Sequence, residues 1–290
     1  MNDVLGYCRP ETLEALTQAV RSERHAKFLA GGTDLLVRLR AGRIDCGAMI
    51  DLSGLTELRG ISLGNDSLTV GSMTRMAELA RSEPVRACAP ALAAAASQVG
   101  SPLIRNRGTI GGNVANCAAA GDTIPVLLAL DARANLIGPG EKKSLPAAAL
   151  LGGVNTSTLA EDELIVSFDL PVRGKASAFV KFGPRKALAI SNLSLALAAF
   201  VRDGVLHEAA VALGAVGVTA YRVPEIEARL EGVSLRDAEA LESAALRLGE
   251  IVFERLGGRP EMPFKAPYKR NLAVAALKRA AARLGEEESL

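Results

Sequence analysis

Ile104-Arg105-Asn106-Arg107-Gly108-Thr109-Ile110-Gly111-Gly112-Asn113 is the stretch on which the reading of this chain turns. Adjacent glycines stand here beside small hydroxyl and amide side chains. A matching segment, Ala30-Gly31-Gly32-Thr33-Asp34-Leu35, lies about eighty residues earlier. Glycine reaches conformations that a Cβ forbids, so such segments can turn several backbone N–H groups toward one anion. Two of them in one chain predict a ligand with more than one phosphate, which points to a dinucleotide. Each alone is weak evidence, because a Gly-Gly before a helix is commonly a turn.

The rest of the chain narrows the choice. Its 290 residues allow two domains with separate cores. A net charge of +2, from 34 basic and 32 acidic residues, gives no argument for nucleic acid or an anionic membrane. Alanine is abundant and aromatics are only 3%, so packing must rely on small aliphatic side chains. Cys8, Cys46, Cys88 and Cys117 form neither a CxxC nor an iron–sulfur run, and they read as free thiols in a reducing cytosol. The opening Met1-Asn2-Asp3-Val4 does not resemble a signal peptide, and cytoplasmic location is expected. The most apolar runs, Ile124 to Leu130 and Leu193 to Val201, fall well short of the roughly 20 residues that span a bilayer.

Periodicity predicts a helix over Glu11 to Arg21, a strand over Ala26 to Ala30, and a helix from Leu35 to near Gly42 with Thr33 or Asp34 as its cap. Further strands are expected at Ala48 to Leu52, on either side of Gly64-Asn65-Asp66, at Arg133 to Ile137 and at Leu164 to Leu170. Thr74 to Ala80, Ala89 to Val99 and Asp122 to Leu130 read as helices. Pro171-Val172-Arg173-Gly174-Lys175 reads as a domain boundary. Beyond it come three strands, Ala176 to Phe182, Asn192 to Arg202 and Leu206 to Gly214, with Asp203-Gly204 as a hairpin turn. Helices are expected at Val223 to Leu230, Leu235 to Leu256 and Ala266 to Leu284, followed by a frayed Glu286-Glu287-Glu288.

Reactive side chains are scarce. His25 and His207 have no neighbouring acid or nucleophile in sequence, and both read as ordinary histidines. There is no HExxH and no zinc spacing, and neither glycine segment is a Walker A or a Rossmann GxGxxG. A chain equipped for phosphates but poor in reactive groups suggests that a bound cofactor carries the chemistry.

With these residues in view, the sequence resembles the FAD-binding subunit of the molybdenum hydroxylases, the xanthine dehydrogenase family. The resemblance starts at Tyr7-Cys8-Arg9-Pro10-Glu11-Thr12-Leu13. It runs through both glycine segments, Asp122 and Pro125, then Asp162-Glu163-Leu164-Ile165 and Phe179-Val180-Lys181. It ends at Thr219-Ala220-Tyr221-Arg222 and Tyr268-Lys269-Arg270-Asn271-Leu272. It implies an α+β fold: a two-subdomain FAD-binding domain of the vanillyl-alcohol oxidase / p-cresol methylhydroxylase type over residues 1–174, divided at about 55. A C-terminal domain with a small antiparallel sheet and helices follows over 175–290.

The resemblance also implies roles. Phe28, Leu29, Ala30, Gly31, Gly32, Thr33, Asp34 and Leu35 look like the first pyrophosphate segment, with a helix N-terminus aimed at the anion. Thr109, Ile110, Gly111, Gly112 and Asn113 look like the second. Asp122 matches an acid near the adenosine half, suited to ribose hydroxyls. Leu164 and Ile165 match an apolar strand beside the adenine. Lys181 matches a lysine close to the flavin, Ile190 a residue against the isoalloxazine ring, and Val99 an apolar contact with the cofactor. For Val99, Leu164 and Ile190, plain core packing is the competing reading. Ala189 departs from the acid that many members carry just before the Ile190 position.

The resemblance thus implies non-covalent FAD here. Molybdopterin and [2Fe–2S] clusters would lie on a large and a small partner subunit in a heterotrimer, with NAD or another molecule as final acceptor. Two alternatives stand beside this reading: a self-contained flavin oxidase of the vanillyl-alcohol oxidase type, and a non-enzymatic FAD-binding assembly factor.

Overall fold

The computed structural model describes residues 6–23, 25–138, 141–172, 174–185, 188–257 and 265–288, the side chains of 287 and 288 excepted. Met1 to Val4, Arg173 of the boundary segment, and Lys186 and Ala187 lie outside the described residues.

The chain begins with a small parallel sheet. Strand Ala48–Asp51 lies between Gly6–Cys8 and Ala26–Leu29. Helix Leu13–Ser22 covers it, started by Thr12, whose Oγ1 accepts from the Ala15 N–H at 3.1 Å. Leu16 of this helix and Ile50 of the sheet join Leu52, Leu55, Leu58, Met73 and Leu164 in one apolar cluster.

An antiparallel five-stranded sheet follows, in the order Ile61–Leu63, Ser67–Gly71, Leu164–Pro171, Arg133–Ile137, Lys142–Pro146. Its central strand carries an irregularity in register between Ile165 and Ser167. In a regular strand, Ile165 and Phe168 would face opposite sides. A bulge adds one residue and brings both to the same core, while Leu164 turns to the cluster under the parallel sheet.

The third sheet explains the alanine content. Its strands are Lys175–Phe182, Leu193–Arg202, Val205–Gly214 and Tyr221–Arg222. One face carries Leu193, Leu195, Leu197, Val211 and Leu213, packed with helices Ala238–Gly257 and Ala266–Glu288. The other face carries Ala196, Ala198, Ala210 and Ala212. These small side chains let helix Thr123–Ala129, buried at all seven positions, lie close against the sheet. The Ser177 hydroxyl, accepting from the Ala91 N–H at 3.3 Å, ties helix Pro90–Ser97 to the same sheet. At the hairpin, Asp203 and Gly204 both take positive φ, of 52° and 74°, as a tight two-residue turn requires.

The structure departs from the sequence reading in several places, among them the unexpected strands Gly6–Cys8, Lys142–Pro146 and Tyr221–Arg222. Asp34 stands at the cap of helix Leu35–Arg40 but makes no side-chain capping bond. Residues 286–288 continue helix Ala266–Glu288 rather than fraying. Short helices Glu83–Cys88 and Pro102–Arg105 occupy stretches for which the sequence reading names no element. The second glycine segment is itself helical, within Ile110–Asn116.

Candidate functional site

The two glycine segments meet across one cleft of about 280 Å³, lined by Phe28, the whole run Ala30 to Leu35, Val99, Thr109, Gly112 and Asn113. Their approach depends on Gly31. A Cβ built there would lie 2.1 Å from the Arg107 carbonyl oxygen. Gly32 holds φ +72°, a conformation open to glycine at little cost. Among the described residues, the backbone N–H groups of Gly31, Gly32, Thr33 and Asp34 donate to no protein acceptor. They are therefore available to an anion in the cleft. Helix Leu35–Arg40 has only six residues, so these amides, and not a long helix dipole, are what this segment offers. Asp34 brings a negative charge to the rim, and Arg38 faces it at 3.6 Å.

The second segment is built differently from expectation. Ile110 N–H donates to Thr74 O, Gly111 N–H to Ser72 O, and Asn113 N–H to Thr109 O. Gly112 N–H donates to Thr109 Oγ1 at 3.2 Å, the capping bond of its helix. All four amides are committed inside the protein, so the segment does not turn a ring of free N–H groups toward a phosphate. Ile110 and Gly111 are buried behind the cleft, where a Cβ on Gly111 would lie 2.6 Å from Ser72 Cβ. Thr109, Gly112 and Asn113 line the cleft. Asn113 Oδ1 accepts from the Thr123 hydroxyl at 2.7 Å, which leaves its amide NH₂ as the donor this segment can present.

Phe28 also borders a recess with Leu16, Val20, Ile137 and Leu164. Leu164 reaches that apolar end. Ile165 does not, because its side chain is in the core on the other side of the strand. Leu29 lies in the strand that leads into the cleft.

Beyond Val99, a larger cavity of about 700 Å³ opens among Gln98, Arg105, Lys181, Arg185, Leu188 and Ala189. The Lys181 ammonium donates to Asp122 Oδ2 at 2.5 Å and to the Gln98 carbonyl at 3.0 Å. Asp122 Oδ1 accepts from the Ser191 hydroxyl at 2.6 Å. The Asp122 and Lys181 side chains are 5% and 7% exposed. Burial pushes the Asp122 carboxyl above its ordinary range, and the Lys181 charge and the two hydrogen bonds oppose that push. Asp122, expected as a ribose acceptor, is thus placed as the partner of Lys181. Ile190 is 78% exposed and is not a core residue. The loop that carries it is closed at its base by Asn192 N–H donating to Phe182 O, and by the Arg185 guanidinium donating to Leu188 O.

The sequence reading missed Gln98, Arg105 and Ser191. Arg105 stands in the opening stretch but carries no role in that reading, Gln98 and Ser191 belong to no motif, and Ser191 gains meaning only through a partner 69 residues away.

A family model described as the FAD binding domain in molybdopterin dehydrogenase matches residues 3–173, more than half of the chain. The chain belongs to this family. A second model, the CO dehydrogenase flavoprotein C-terminal domain, matches residues 178–284. The xanthine dehydrogenase FAD-binding subunit of Escherichia coli O157:H7 is 30% identical over 98% of this chain and 99% of its own length. The nicotinate dehydrogenase FAD-subunit of Eubacterium barkeri is 31% identical over 89% of this chain and 90% of its own. The carbon monoxide dehydrogenase structure from Hydrogenophaga pseudoflava superposes with a TM-score of 0.87 at 29% identity, covering 97% of this chain and 96% of that one. This chain is thus an FAD-type flavoprotein subunit of an oxidoreductase. No helix among the described residues is long and apolar enough to cross a membrane.

Proposed function

We propose that this chain holds FAD non-covalently and relays electrons within a molybdenum-containing hydroxylase. They would come from [2Fe–2S] clusters on a small partner subunit, and the molybdopterin site would lie on a large one. They would leave to NAD or another acceptor. The observation that carries the reading is the cleft where the uncommitted amides of Gly31 to Asp34 face Thr109, Gly112 and Asn113. An apolar recess adjoins it at Phe28, and the Lys181 cavity is lined by Gln98, Gly100 and Arg105, the sequence neighbours of the cleft residues Val99 and Ile104. A dinucleotide has this succession of an apolar base, charged phosphates and a polar-edged ring.

In this reading the Gly31–Asp34 amides hold the pyrophosphate, the Asn113 amide adds a donor, and Leu164 with Phe28 receives the adenine. Lys181, Val99 and Ile190 border the flavin ring. Bound FAD supplies a carrier that accepts electrons singly and delivers them in pairs. The protein binds it, orients it and sets the charge around it; no protein nucleophile is needed. The division between FAD-binding and C-terminal units falls near Gly174, and within the first unit near residue 55. The names of relatives, which include xanthine, nicotinate and carbon monoxide dehydrogenase subunits, favour a partner-dependent oxidation of a small molecule.

Denaturing the purified protein should release a yellow compound that chromatographs as FAD. FMN, or flavin that stays on the polypeptide, would contradict the assignment. Purification of the tagged chain from its native cell should bring a molybdenum-containing large subunit and an iron–sulfur small subunit with it.

A further inference from the structure

The buried pair at the end of the cleft carries more than a contact. An ammonium has three N–H donors. Lys181 gives one to Asp122 and one to the Gln98 carbonyl, and its side chain lines the 700 Å³ cavity. One donor is left for whatever the cavity holds. Asp122 has both carboxylate oxygens engaged, one by Lys181 and one by Ser191. The carboxylate therefore faces the lysine and the serine. Its nearness cancels the net charge of the ammonium at a site where little water screens either group.

Two other cations line this cavity. Arg105 donates to the Val99 and Gly100 carbonyls at 3.1 and 3.0 Å, and Arg185 donates to the Leu188 carbonyl. These carbonyls hold the two guanidinium groups in place at the cavity wall. Lys181 is matched by the Asp122 carboxylate.

We propose that Asp122 is a positioning and charge-balancing residue of the flavin cavity. It fixes the Lys181 ammonium at the cavity wall and keeps the reduction potential of bound FAD lower than an unpaired ammonium would. The inference rests on the reading that FAD occupies the cleft with its ring in this cavity. Reduction adds electrons to the ring, so an uncompensated positive charge beside it favours the reduced form, and a neutral ion pair does so far less. Ser191 supports the arrangement by holding the second carboxylate oxygen.

The test is the midpoint potential of bound FAD in the full chain, measured by dye-equilibrated reduction, with bound FAD counted per chain. Asp122→Asn should raise the potential. A tenfold gain in the preference for reduced over oxidised FAD corresponds to about 30 mV for a two-electron couple. The double variant Asp122→Asn with Lys181→Met removes both charges and should return to within half of that shift from wild type. An Asp122→Asn protein that binds FAD at an unchanged or lower potential overturns the proposal. So does a double variant that stays as high as the single one, because the shift would then not come from Lys181. Where Asn is not tolerated in the fold, Asp122→Ser removes the same charge and leaves a hydroxyl for its neighbours, with the same outcomes expected. Absence of FAD from the wild-type chain would instead refute the functional reading itself, and the two failures are thus told apart.

Discussion

Gly31 lies so close to Arg107 that a Cβ placed on it would sit 2.1 Å from the Arg107 carbonyl oxygen and 2.7 Å from its carbon. Both obstructing atoms are backbone and cannot swing aside. The contact joins two segments far apart in sequence and sets the width of the cleft between them. Gly31→Ala must push these segments apart, at a cost of about 1–3 kcal/mol for overpacking. The expected result is a folded chain with a lowered Tm and at least a tenfold loss of FAD affinity. Wild-type flavin content and Tm together would show that the contact can relax.

The neighbouring glycines of the second segment should behave differently from one another. A Cβ on Gly111 meets Ser72 Cβ at 2.6 Å and Ser72 O at 2.9 Å, behind the cleft. Gly111→Ala should destabilise the fold by about 1–3 kcal/mol, measured by denaturant unfolding. A Cβ on Gly112 meets only Thr109 Oγ1 at 3.0 Å and Ala30 Cβ at 3.8 Å, both at the cleft. Gly112→Ala should leave stability unchanged, or raise it by up to about 1 kcal/mol through helix propensity. It should weaken FAD binding several-fold. Equal stability losses in the two variants would contradict this division.

The sequence carried the long elements well and the short ones poorly. Strands such as Leu193–Arg202 and helices such as Ala238–Gly257 bury regular apolar patterns, which a period reveals. Helix Ile110–Asn116 has two glycines in its first turn, and intrinsic propensity argues against it. It forms because the Ser72 and Thr74 carbonyls accept its first N–H groups, and those partners lie about forty residues earlier. The same limit applies at the site. Gly31, Gly32 and Thr33 were legible because the special backbone is written in the residues themselves. Asp122 was legible as a residue but not in its role, since Lys181 lies 59 positions away and Ser191 lies 69 away. The side on which Ile165 falls depends on a bulge that leaves no mark in composition.

Asp122 should also leave a signature in the pH dependence of stability. Burial raises its pKa in the folded chain above the ordinary 3.8. The folded state then holds this proton more tightly than the unfolded state does. Its contribution to stability is fully present below the unfolded value and is lost as pH rises through the folded one. Across that window, upward from about pH 4, wild-type stability should therefore fall relative to Asp122→Asn. Chemical denaturation of both proteins at a series of pH values measures the difference. A difference that is flat, or that rises with pH, would show that the carboxyl is not raised.

The central claim is that this chain is an electron carrier that depends on partners, and anaerobic mixing tests it most directly. The FAD-loaded chain, shown free of molybdenum and iron, is mixed with purines or aldehydes while the flavin absorbance is followed. The account predicts no bleaching by the chain alone, and bleaching once the large and small subunits are added with a substrate of the complex. Bleaching of the metal-free chain by the organic substrate alone would contradict it and identify a self-contained oxidase.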